Sequence, residues 1–213
     1  MRYAVPLLPA LLLAALLSLG CTAGDGAADD TSDPSPPASD ESPTPSDTAP
    51  RDTTGARTDE PQLAFGANDG TAGLTLQRRE GMEPAILAEV RSASHEEFDR
   101  VVFEFRGRRV PGYRIEYVDR PVRQCGSGEP VEVAGDGWLQ VRLEPARAHA
   151  GDTAVVATVT ERNRELDLPN LRQLVLTCDF EAQVEWVLGL GSPNPYRIIE
   201  LPDPPRLVVD VRH

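Results

Sequence analysis

Arg106, Arg108 and Arg109 crowd into one short segment, Arg106-Gly-Arg-Arg-Val-Pro-Gly112. Guanidinium groups are planar, permanently charged and forked, so they pair in bidentate fashion with phosphate and carboxylate. The cluster is therefore a candidate site for an acidic polymer or lipid head group. The same residues also suit a charged, solubilising turn that holds no ligand. Tyr113 and Tyr117 follow closely and are candidate sugar-stacking rings, with Trp138, Trp186 and Tyr196 as further aromatics. Tyr113 and Tyr117 share a face with Ile115, however, which suits packing in a core. His95, His149 and His213 are not spaced as metal ligands with one another or with a cysteine, and read as solvent-exposed residues. Glu96, Glu97 and Asp99 offer carboxylates, but three acids beside a strand start suit a solvated loop better than a glycosidase pair. The sequence contains no Gly-x-Ser-x-Gly elbow, no Walker loop and no dinucleotide fingerprint. No catalytic residue, metal or cofactor is expected, and the chain is not expected to be an enzyme.

Cysteine supplies a second chemistry. Met1 and Arg2 open the chain, an apolar stretch runs from Tyr3 to Leu17, and Ser18-Leu19-Gly20 precedes Cys21. A short positive region, an apolar core and small residues at its end make an export signal over residues 1–20. Pro6 and Pro9 and the marginal length argue against a membrane-spanning helix. Ser-Leu-Gly-Cys resembles the lipobox of bacterial lipoproteins, although Ser18 stands where Leu is usual. The resemblance implies cleavage after Gly20 and lipid on the Cys21 sulfur. Ordinary secretion and an uncleaved anchor are the alternatives. The other cysteines, Cys125 and Cys178, would then meet an oxidising compartment and pair as a disulfide, or else stay as two buried thiols.

Beyond Cys21 the polarity inverts. Residues 22–60 hold ten acids against two arginines and contain no aromatic residue and no Val, Ile or Leu. Such a segment buries too little apolar surface to offset the entropy of ordering, so it is expected to be a disordered tether. Fully stretched, it reaches on the order of 130 Å. The formal charge of the chain is −13, and all 21 basic residues are arginine. Most of the negative charge belongs to the tether, and residues 61–213 are only mildly acidic. Nothing there resembles a nucleic-acid footprint.

The elements that must position these groups read as strands. Asp99 to Arg106 alternates, with Val101, Phe103 and Phe105 on one face. Tyr113, Ile115 and Tyr117 alternate likewise, and the pair reads as a hairpin about the arginine turn. Trp138 to Glu144, Gln173 to Thr177, Ala182 to Leu190, Tyr196 to Leu201 and Arg206 to Arg212 continue the pattern. Leu74 to Gln77 and Ile86 to Ser92 are weaker, Cys178 to Glu181 is turn-like, and Thr160 to Leu171 suits a short turn. Many short strands with turn signals between them indicate an all-β fold, a β-sandwich or open barrel, over residues 61–213.

The blocks FDRVVFEF, VPGYRIEYVDRPV, GSGEPVEVAGDGWLQVRLEPA, LPNLRQLVLTCDFEAQVEWVLGL and PPRLVVDVRH together resemble the AMIN-like domain of actinobacterial lipoproteins, over most of residues 70–213. The all-arginine composition suits the same source. The resemblance implies a β-sandwich of short antiparallel strands. It also implies a non-enzymatic module that targets the cell envelope, with peptidoglycan or an attached wall polymer as partner and the lipid bilayer held through Cys21. An adaptor that docks another exported protein through a sheet edge or face is the alternative. No catalytic residues accompany the resemblance.

Overall fold

The computed structural model describes residues 64–66, 69–151 and 156–213. The expected signal, the Cys21 lipid site and the tether lie outside the described residues. The described chain is all-β, with no helix. In order its strands are β1 (Thr75–Gln77), β2 (Ala85–Ser94), β3 (Phe98–Arg106), β4 (Gly112–Tyr117), β5 (Gly137–Glu144), β6 (Ala146–Arg147), β7 (His149–Ala150), β8 (Val156–Ala157), β9 (Asn163–Glu165), β10 (Leu171–Phe180), β11 (Gln183–Leu190), β12 (Tyr196–Pro202) and β13 (Pro205–Arg212). They form a six-stranded sheet, β1-β4-β5-β11-β10-β9, and a five-stranded sheet, β12-β13-β3-β2-β6, with β7 and β8 paired apart. Every pairing is antiparallel except β2 with β6.

The two sheets form a sandwich over one apolar core. Alternation sets which side chains enter it. Val101, Phe103 and Phe105 of β3 and Leu207, Val209 and Val211 of β13 meet Ile115 of β4, Leu139, Val141 and Leu143 of β5, and Trp186 and Leu188 of β11. Trp186 is 1 % exposed and its ring centroid lies 6.4 Å from that of Phe103, so the largest side chain bridges the sheets.

The expected hairpin of β3 with β4 does not form. β3 pairs with β2 and β13, whereas β4 pairs with β1 and β5. Alternation reveals which face of a strand is buried and not which strand lies beside it. The arginine segment carries the chain across the sandwich, with Val110 buried at its end, so Phe103 and Ile115 face each other through the core. Gly112 is required where β4 begins, because a Cβ there would lie 2.6 Å from the Glu144 carbonyl oxygen.

Other boundaries also differ from the sequence reading. β10 runs through Cys178 to Phe180, and the turn falls on Glu181 and Ala182, both at positive φ (49° and 60°). That is the backbone twist a two-residue hairpin demands, met without the usual Asn-Gly. The region from Thr160 to Leu171 contains β9 rather than only a turn. Asp99 is not in a solvated loop. It is 1 % exposed and accepts the N–H groups of Asn170 and Leu171 at 2.7 Å each, which fixes the start of β10. The histidines are held rather than free. His213 Nε2 lies 3.1 Å from Asp99, His149 Nδ1 lies 2.9 Å from Asp179, and His95 stacks on Phe98 at 4.6 Å between centroids.

Two further features frame the sandwich. Residues 118–135 lie over the outer face of the six-stranded sheet, where Val122 and Val133 pack on Val175 and Val187 as a second apolar cluster. Arg120 covers Trp138 at 4.5 Å, and a disulfide joins Cys125 of this loop to Cys178 of β10. At one end of the five-stranded sheet, Phe65 sits between the guanidinium groups of Arg197 and Arg212, each 4.6 Å from its ring. Arg197 also donates to the Ala64 carbonyl at 2.7 Å, so residues 64–66 are tied to β12 and β13.

Candidate functional site

The segment that crosses between the sheets places its arginines at the end of the sandwich where β3 finishes. Arg108 and Arg109 are exposed and have neither a hydrogen-bond nor an ion-pair partner among the described residues. Beneath them lies a fixed centre. Arg79 grips Glu200 with Nη2 at 2.7 and 2.9 Å, and its Nη1 donates to the carbonyls of Val110 and Pro111 at 2.6 and 3.2 Å. One side chain thus holds the arginine segment against β12. The Tyr113 hydroxyl donates to the same carboxylate at 3.0 Å.

Two grooves meet at Arg79. One, of about 440 Å³, is lined by Arg79, Arg108, Arg109, Glu200, Leu201 and Pro202. The other, of about 600 Å³, includes Leu76, Arg78, Tyr113, Arg114 and Arg142 in its wall. The first wall carries three arginines against one acid, and that acid is already bound by Arg79 and Tyr113. The second carries four arginines against Glu80 and Glu144. Arg114 pairs with Glu116 at 2.5 and 2.9 Å, and that hydrogen bond raises its pKa. Arg142 lies 3.2 Å from Glu185, while its buried Nε has no acceptor among the described residues. Arg78 is exposed, and its side chain has no partner among the described residues. Three open guanidinium groups therefore stand beside three paired ones, those of Arg79, Arg114 and Arg142, an arrangement suited to an anion with several charges.

The sequence-derived candidates divide. Arg108, Arg109 and Tyr113 come together around Glu200. Arg106 lines neither groove, because strand alternation turns it away from the core residue Phe105 onto the outer face of the five-stranded sheet. Tyr117 points inward, with its hydroxyl bonded to the Asn194 carbonyl and its ring edge-on to Tyr196 at 6.1 Å. Sequence reasoning missed Arg78, Arg79, Arg114, Arg142 and Glu200. The Arg78-Arg79 doublet repeats the Arg108-Arg109 doublet and was a usable signal, whereas Glu200 has no local mark.

Burial, the Glu200 hydrogen bond and the Glu200 charge push the Tyr113 pKa up from 10.0 to about 12. The fold therefore favours the neutral phenol, and in the unfolded chain the tyrosine ionises first. This contribution is whole below pH 10 and is lost as pH rises through about 12. Tyr117 shifts in the same direction, chiefly by burial. In thermal unfolding, the difference between the native protein and Tyr113→Phe should change across this window. Parallel curves would show that the Glu200 contact does not hold in solution.

The family model of the AMIN-like domain matches residues 85–213, from the first residue of β2 to the last residue. The chain belongs to the AMIN-like domain family. AMIN-like domains are extracytoplasmic, envelope-associated binding modules and not an enzyme family. The match includes Arg108, Arg109, Tyr113 and Glu200, but Arg78 and Arg79 precede it. The groove system is thus built by the AMIN-like domain together with β1 and the segment that follows it. No curated protein and no solved structure matches the chain. Among the described residues no group of His, Cys, Asp and Glu is placed to hold a metal ion.

Proposed function

We propose that this chain is a lipid-anchored envelope protein whose AMIN-like domain binds peptidoglycan or an acidic polymer attached to it. Cys21 carries the lipid, residues 22–60 span the distance to the wall, and the Arg78, Arg108 and Arg109 side chains take the polymer's phosphate or carboxylate groups. The observation that carries the reading is the set of three guanidinium groups, without partners among the described residues, around grooves that meet at Arg79. A repeating anionic chain engages such a platform through several exposed contacts, each weak and screened by salt.

Co-sedimentation of the purified protein with isolated actinobacterial sacculi, with and without their wall polymers, tests this across ionic strength. Saturable retention is expected, stronger on polymer-bearing sacculi and weaker as salt rises. Arg108→Ala combined with Arg109→Ala should lower the apparent affinity roughly tenfold. Arg106→Ala, on the other face, should leave it unchanged. No retention on either preparation would overturn the reading.

A further inference from the structure

A third groove, of about 580 Å³, opens on the side of the sandwich where β2 and β9 fail to meet, with Val90, Arg91, Ser92, Arg164, Leu166 and Leu168 in its wall. β6 pairs with β2 only at Ala85 and Ile86, so among the described residues the rest of that edge has no neighbouring strand. The His95 N–H donates to the Phe98 carbonyl at 2.9 Å, which makes the odd-numbered residues of β2 the ones bonded to β3. Val90 and Ser92 therefore aim their backbone groups into the groove. There the Val90 carbonyl meets Arg164 Nη1 at 3.3 Å.

Arg164 is poorly satisfied for a cation. Its Nη1 reaches Glu161 only at 3.7 Å, and its buried Nε and Nη2 have no acceptor among the described residues. Burial lowers its pKa, so the charge is held against its own solvation. A carboxylate in the groove would draw the guanidinium outward and give the fork two acceptors.

We infer that the free edge of β2 is a docking site for an extended segment of another exported protein, added as a strand along Val90 to Ser94 with an Asp or Glu side chain on Arg164. The edge itself selects the partner class. Its backbone groups repeat every second residue, roughly 6.8 Å apart, which is the spacing of an L-α-peptide strand. Leu166 and Leu168 supply an apolar floor for a side chain along the strand. This inference is independent of wall binding through the arginine grooves, which lie elsewhere on the domain.

Selection of random displayed peptides against the purified protein tests it. Enriched peptides are expected to share one acidic residue at a fixed place in an alternating pattern, and to protect the Val90 and Ser92 amides from hydrogen exchange. Changing that acid to its amide should weaken binding on the order of tenfold to a hundredfold. Arg164→Gln should erase this difference while leaving sedimentation with sacculi intact. Ser92→Pro, which removes an edge N–H that β3 does not use, should abolish binding of every selected peptide. Failure to enrich any sequence, indifference to the carboxylate, or protection of other amides would overturn the inference. So would protection of the same amides by soluble wall stem peptides alone, or by raising the protein concentration without peptide.

Discussion

Replacing Asp210 with Ala should destabilise the domain by about 3–5 kcal/mol. Asp210 is fully buried on β13 and accepts Arg100 Nε and Nη2 at 2.6 and 2.9 Å and Arg197 Nε at 2.9 Å. Two guanidinium groups on β3 and β12 thus share one carboxylate across three adjacent strands. Arg100 is itself only 2 % exposed, so losing the acid strands positive charge where water cannot replace it. Asp210→Asn keeps the shape and should still lose most of this, because the charge carries the interaction. Urea unfolding reads the change as a shift in midpoint at constant slope. A loss below about 1 kcal/mol would mean that the group behaves as an exposed ion pair in solution.

Removing the disulfide with Cys125→Ala and Cys178→Ala should cost about 4 kcal/mol at most, from the chain-entropy effect of a sequence separation of 53 residues. The loss has a location as well as a size. Without the bond, residues 118–135 depend on the Val122 and Val133 cluster and a few hydrogen bonds, such as Ala134 N–H to Gln173 Oε1 at 2.7 Å, to stay on the sheet, and Trp138 lies beneath them. Trp138 donates its indole N–H to the Val133 carbonyl at 3.2 Å, so loosening of the loop wets its ring. Trp138 fluorescence should move to the red at a lower denaturant concentration than global unfolding. Identical midpoints for oxidised and reduced protein would show that the apolar cluster holds the loop unaided. Thiol titration of the denatured, unreduced protein should find neither Cys125 nor Cys178 free.

The class of fold was legible because alternation is a local signal. β3, β5, β11 and β13 each send every second residue into the core between the sheets, and their inner faces were readable without a partner in view. β2 was harder because a bulge between Leu87 and Glu89 puts both Leu87 and Val90 into the core, three residues apart. Strand pairing was not legible at all for β3 and β4. A glycine- and proline-bearing segment serves a hairpin and a crossing between sheets equally well. Buried ions were hidden for a similar reason. Asp99 and Asp210 look like surface acids until backbone N–H groups or arginines distant in sequence converge on them. Two of the six arginines of the site were visible as Arg108-Arg109, since adjacent charges need no fold to be neighbours. Glu200, which organises it, is brought there by β12 from 87 residues beyond Tyr113.

The Phe65 clamp gives the domain a mechanical polarity. Phe65, Phe98 and Arg212 gather at one end of β3 and β13, and Arg108 and Arg109 lie beyond the opposite end, about 25 Å away along the strands. Any tension arriving through Ala64 enters beside the final strand, where Arg197 and Arg212 grip the backbone, and not through the arginine loop. A pull between a held N-terminal segment and a captured polymer would run lengthwise along β13 and β3. That direction loads their backbone hydrogen bonds together in shear and does not peel them open one at a time, so under the proposed function the two ends of the domain would carry load through these strands.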